Sequence, residues 1–173
     1  MTEEYIPQEI MRGKIIATKS LVKKQIRAIK EIEGEVDDII LGINSEEIER
    51  EKVKELAKKF REFQICVENA FVFIAENFDG GVPKTENIHK SLLEQMGKEI
   101  ENSRPSVIDS FLAQNLDEYI DLRLDVEKDP EAFNDAARVK TMLNNYKKVS
   151  ESAQEQLLNF FDELEKFHGL KNS

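Results

Sequence analysis

The chain has 173 residues, of which 35 are Asp or Glu and 25 are Lys or Arg, for a net charge of −10. That balance argues against a surface coated for general nucleic-acid binding, because phosphate affinity grows with accumulated Lys and Arg. With 7 Gly, 4 Pro and no Trp, the composition favours long helices over a many-turned sheet, and the length suits one domain, 1–173, that buries about 70% of its unfolded surface.

The single Cys, Cys66, has no second thiol to pair with and reads as a small core residue. The first residues lack a basic start followed by an apolar run, and no stretch approaches the roughly 18 apolar residues of a membrane span. A cytoplasmic protein with no membrane contact is expected.

In chain order, a first helix is expected over Gln8 to Leu41, ending at Gly42, with Ile15, Val22, Ile26, Ile29, Val36 and Ile40 inward. Gly13 and Gly34 fall inside it. Residues 10 to 30 hold Arg12, Lys14, Lys19, Lys23, Lys24, Arg27 and Lys30 and no acid, a local +7 that leaves −17 on the remainder. Lys19, Lys23, Arg27 and Lys30 step by four, four and three, which aligns them as a stripe: a solvated face, or a surface for RNA or an acidic partner.

The second helix is expected over Ser45 to Phe78, with Glu46 and Glu47 at its positive end. Val53, Leu56, Phe60, Phe63, Val67, Phe71, Ile74 and Phe78 recur at helical spacing and mark the buried face. Ile65, Cys66, Ala70 and Phe73 add a second apolar surface, so the C-terminal half should form the centre of the core. The Lys- and Glu-rich half from Glu49 to Arg61 should be wetter and free for a partner. Asp79-Gly80-Gly81-Val82-Pro83 breaks the helix.

A third helix, Asn87 to Asn102, places Ile88, Leu92, Met96 and Ile100 four apart. A helical segment from Ser106 is expected to be interrupted near Asn115, where Asn115 and Glu118 could form a capping box, and to continue as a fourth helix from Leu116 to Val126. Asp129-Pro130-Glu131 reads as the start of a fifth helix running to Phe167. There Val139, Tyr146, Ala153, Phe160 and Phe167 lie seven apart, the repeat of a near-antiparallel bundle. The fold class is therefore all-α, an antiparallel bundle of about five helices.

No phosphate-cradling Gly loop, paired-cysteine metal site or nucleophile elbow is present, and no metal or cofactor is expected. His168, beside Gly169, reads as a C-cap cation and His89, at the start of the third helix, as structural.

Several segments taken together resemble one family. They are Phe63 to Glu68, Phe73 to Glu76, Asp79 to Pro83, Asn87 to Met96, Arg104-Pro105, and Leu116 to Tyr119 continuing through Arg123. In order and content they are similar to the HepT-like branch of the HEPN helical-bundle superfamily, over roughly Lys30 to Phe167. The resemblance implies a bundle that forms a homodimer, is encoded beside a cognate nucleotidyltransferase, and in active members works as a metal-independent ribonuclease toxin of a toxin–antitoxin-type system.

The resemblance also implies an active motif: an Arg, four residues, a polar residue that is usually His, and a Tyr two positions further on. Laid on this chain it starts at Arg123, with Lys128 in the His position and Pro130 in the Tyr position. Cleavage through a 2′-hydroxyl needs proton transfer near neutral pH, which suits an imidazole of pKa about 6.5 and not a Lys of about 10.4. Losing such a group typically costs about 10²- to 10⁴-fold in rate.

Three readings stay open on sequence. In the first the ribonuclease centre is degenerate and the bundle has a binding or regulatory role. In the second Arg123 and Lys128 from two subunits clamp the scissile phosphate of a live ribonuclease. In the third the bundle only binds proteins, through the charged end of its first two helices. An imidazole brought to Arg123 by the fold, with His89 the candidate, would overturn the inactive reading.

Overall fold

Five helices account for the regular structure of residues 7–171, which the computed structural model describes. They are α1 (Gln8–Leu41), α2 (Arg50–Phe78), α3 (Ile88–Met96), α4 (Ser110–Lys128) and α5 (Ala136–Phe167). The all-α class expected from the composition holds. α2 touches all four other helices, whereas α1 packs only on α2 and α5, and α3 only on α2 and α4. α1 and α3 are thus kept apart, while α4 and α5 also touch each other.

Burial follows the apolar spacing along α2, whereas Ile40, Ile88 and Phe167, at or near helix ends, are exposed. Val53, Leu56, Phe60, Phe63, Val67, Phe71, Ile74 and Phe78 of α2 are all buried, within one core cluster that runs from Met11 to Leu164. Its centre is aromatic: the Phe60 and Phe63 rings meet Tyr119 and Tyr146 at centroid distances of 5.1–5.7 Å. Burial pushes both phenols well above their ordinary pKa, so neither ionises near neutrality.

Four boundaries differ from expectation. α1 ends at Leu41 as expected and runs unbroken through the exposed Gly13 and Gly34, but α2 begins at Arg50 rather than Ser45. Ile43 and Ile48 pack against the core and draw the linker inward, while the Ser45 hydroxyl donates to the carbonyl of Glu47 and caps no helix. α4 is continuous from Ser110, because Asp109 supplies its cap by accepting from the Leu112 amide at 2.9 Å. Asn115 lies inside it and donates to the carbonyl of Phe111. Asp129 holds only a single turn, accepting from the Ala132 amide, and α5 starts later, where Asp135 accepts from the Arg138 amide at 3.1 Å.

The fourth difference is α3, which stops at Met96 with Gly97 behind it, and the cause is Arg104. This guanidinium is fully buried and pairs with the Asp79 carboxylate, Nε to Oδ1 at 2.5 Å and Nη2 to Oδ2 at 2.8 Å. Its remaining donors reach the carbonyls of Lys98 at 2.8 Å, Pro105 at 3.0 Å and Gln95 at 3.1 Å. The Lys98 carbonyl is thereby taken up by the guanidinium, and Ile100 bridges to Arg104 where the helix would otherwise continue. Gly80 and Gly81, at φ 76° and 128°, let the chain turn directly after Asp79. One ion pair therefore fixes the α2–α3 turn and the approach to α4.

The expectation that the first half of α2 is free for a partner is corrected. Val53, Leu56, Ala57 and Phe60 are buried, and the charged side is committed to neighbours. Lys59 pairs with Glu35 of α1, Lys54 with Glu131 at 3.5 Å and Arg61 with Glu127 at 2.9 Å.

Asp79→Ala would leave the Arg104 charge buried without its partner, so the variant should lose about 3–5 kcal/mol of stability in urea denaturation. An unchanged midpoint would show that the pair does not hold this turn.

Candidate functional site

The residues that carry the family resemblance meet where α2, α3 and α4 adjoin. Arg123 lies one turn beyond the buried Tyr119 and so projects toward α2; its side chain is only 15% exposed. Nη1 donates to Gln64 Oε1 at 2.8 Å and to Glu68 Oε2 at 3.3 Å, and Nε donates to Glu127 Oε1 at 3.0 Å. The same Glu127 oxygen accepts from Arg61 Nε at 2.9 Å. Burial on its own would push the Glu127 carboxyl up, but the hydrogen bonds from Arg123 and Arg61 outweigh it and hold the group below its ordinary value.

His89, at the start of α3, reaches the same place. Its Nδ1 lies 2.7 Å from Glu68 Oε2, the oxygen that also accepts from Arg123, while Nε2 has no partner among the described residues. The fold therefore brings the guanidinium and an imidazole onto one carboxylate. A crevice beside His89, lined by Gln64, Glu68, His89, Leu92, Leu116 and Ile120, holds about 10 Å³, room for no more than a water molecule.

Lys128 is elsewhere. Five residues beyond Arg123 on a helix of 3.6 residues per turn, it points about 140° away. Its side chain is 79% exposed, with Asp125 at 3.7 Å as its acid partner. Within one chain Arg123 and Lys128 do not face a common space, and Pro130 lies in the loop after α4. The α4 surface around them is acidic. Asp117 and Asp121 hold Lys90 at 2.6 and 2.9 Å, and Asp125 holds Arg138 at 2.6 Å. Burial would lower the Lys90 pKa, yet its two carboxylates raise it overall, whereas the Arg138 hydrogen bond draws Asp125 below its ordinary value.

The stripe of Lys19, Lys23, Arg27 and Lys30 lies on α1, which touches neither α3 nor α4, so it faces away from this cluster. His168 caps α5 and its ring Nε2 lies 2.7 Å from the Ser103 carbonyl, tying the C-terminus to the Arg104 loop. Cys66 is half-buried, and burial pushes its thiol up, away from reactivity. Among the described residues no group of His, Cys, Asp and Glu is arranged to hold a metal ion, and no helix is long and apolar enough to cross a membrane.

Two of the residues that matter most, Gln64 and Glu68, were not singled out by sequence. Their signal was a polar pair four apart on the otherwise apolar side of α2 formed by Phe60, Val67 and Phe71.

The family model described as HepT-like protein matches residues 55–164, well over half of the chain, and the chain belongs to that family. The matched span starts within α2 and leaves α1 outside it. No curated protein and no solved structure matches the chain.

Because the Glu127 carboxyl is held below its ordinary value of 4.5, the stability it contributes is fully present above that value and is lost as pH falls through the lower folded-state value. Glu127→Gln should therefore lower the urea midpoint near pH 7, and the gap to wild type should narrow as the pH is taken down through and below 4.5. No gap at pH 7 would show that the ion pairs are without consequence, and a gap of constant size would show that Glu127 acts through something other than its charge.

Proposed function

We propose that this HepT-like chain is the binding or regulatory member of a cytoplasmic toxin–antitoxin-type system directed at RNA, with a degenerate ribonuclease centre. One observation carries the reading: the donors of Arg123 that make hydrogen bonds are directed at Gln64, Glu68 and Glu127. A phosphate that took Nε or Nη1 would have to displace Glu127 or Glu68, each favoured by a charge-assisted hydrogen bond, which leaves Nη2 as the donor without a partner among the described residues. Arg123 thus acts as a staple joining α4 to α2.

The resemblance further suggests a homodimer and a cognate nucleotidyltransferase as partner. The Tyr such a partner would modify is replaced here by Pro130, so the partner is expected to bind this chain without modifying that position.

A second reading, a metal-independent ribonuclease, is favoured by His89. A carboxylate on Nδ1 orients the ring and leaves Nε2 to move a proton, the geometry of an activated base. In this reading the imidazole, with Arg123, replaces the clamp of Arg123 and Lys128 from two subunits. An imidazole beside Arg123 meets the condition that the sequence sets for overturning the inactive reading; what weighs against activity is that the carboxylates Glu68 and Glu127 already hold both Arg123 and His89.

Incubating the purified protein with total RNA in chelator should give no cleavage above that of buffer alone. Efficient cleavage that disappears in both His89→Ala and Arg123→Ala would overturn the degenerate-centre reading and establish the second.

A further inference from the structure

We infer that the outward stripe of α1 is the RNA-contacting surface, gripping the phosphodiester backbone without selecting bases; this rests on the reading that RNA is the target. Arg12, Ile16, Lys19, Lys23, Arg27 and Lys30 step by four, three, four, four and three, so they share one face of the helix over about 27 Å. Ile16, 68% exposed, is the sole apolar member.

Charge pairing separates this stripe from the rest of the molecule. None of the seven cations between residues 10 and 30 has an ion-pair partner among the described residues, whereas most of the other cations do. The nearby acid from α5 is Asp162, which feels the charge of Lys19 but is bonded to Lys171 at 3.0 Å. Across the bundle the α4 surface presents Asp117, Asp121 and Asp125. A polyanion is therefore drawn to α1 rather than to α4, whose acids are already paired with Lys90 and Arg138, a steering that acts over roughly a Debye length, about 8 Å at physiological salt.

The chemistry of the stripe favours phosphate over an acidic protein. Lys is depleted from the cores of protein interfaces, which are built around aromatic anchors, and α1 has no aromatic residue. The same lack of aromatics removes any platform for stacking bases, leaving backbone contacts that position a strand without reading it. α1 lies outside residues 55–164, the span matched by the family model.

The test is a fluorescence-anisotropy titration of the full chain with a labelled oligouridylate of about 20 nucleotides, at salt from about 50 to 200 mM. Each phosphate contact on a single strand contributes about −0.7 to the log–log salt slope. Lys19→Gln combined with Lys23→Gln and Arg27→Gln should weaken binding about tenfold or more and flatten the slope by about two. Lys147→Gln with Lys148→Gln, on α5, should bind as wild type does. The triple variant exposes no apolar surface, and unchanged helicity by circular dichroism confirms its fold.

No binding of the oligonucleotide at the lowest salt, or equal binding by wild type and the triple variant, would overturn the inference. So would capture of polyglutamate without capture of RNA, which would assign the stripe to an acidic protein. Equal binding by wild type and the triple variant removes the α1 surface alone and leaves the proposed function standing, whereas no RNA binding at the lowest salt removes the RNA-directed reading with it.

Discussion

A single carboxylate, Glu68 of α2, determines what the Arg123 neighbourhood can do. One of its oxygens meets both the Arg123 guanidinium and the His89 ring, so the two groups most suited to phosphate chemistry are held by the protein itself. Adding Glu127, which accepts from Arg123 and Arg61, gives two cations, two carboxylates and an imidazole joining three helices. A partly buried charge without partners is costly, and this arrangement leaves little incentive for Arg123 to exchange its carboxylates for solvent-exposed RNA. The cluster stabilises the junction of α2, α3 and α4 by the same contacts that occupy its donors.

The junction exists because α2 is apolar around most of its circumference in its second half. A helix buried on several sides must be covered by several others, and here α1, α3, α4 and α5 all pack on it. Polar residues on such a helix have few places to go. Gln64 and Glu68 are tolerated because Arg123 and His89 arrive to satisfy them. Arg104 and Asp79 follow the same logic at the other end of α2, where a fully desolvated pair ends α3 and sets the angle at which the chain enters α4.

Helix interiors were legible in the sequence and helix ends much less so. α1 and the end of α2 were readable because Gly42 and the Asp79–Pro83 run interrupt clear apolar spacing. The end of α3 was not, because Ile88, Leu92, Met96 and Ile100 keep a perfect spacing that the Arg104 guanidinium overrides from a distance. The start of α5 was misplaced because Asp129-Pro130-Glu131 is good N-terminal chemistry, yet it holds only one turn before Asp135 takes the role. At the site, Arg123 and its pairing with Glu127 four residues on could be read directly. The place of Glu68 as the shared acceptor could not, since nothing local distinguishes it among 35 acids, and its partners come from 21 and 55 residues away.

Charge completes the picture: the surface with unpaired cations and the surface with the family's motif are on helices that do not touch, α1 and α4, and only the first is free to meet a polyanion. The direct measurement is a side-chain Nε–H nitrogen–proton spectrum of the arginines, recorded while RNA is added to the full chain. The account predicts that the Arg27 resonance shifts with RNA concentration while that of Arg123 stays where it is, protected by Glu127. A shift of Arg123 on the same titration would mean that phosphate displaces the carboxylates, and the staple assigned to that residue would be wrong.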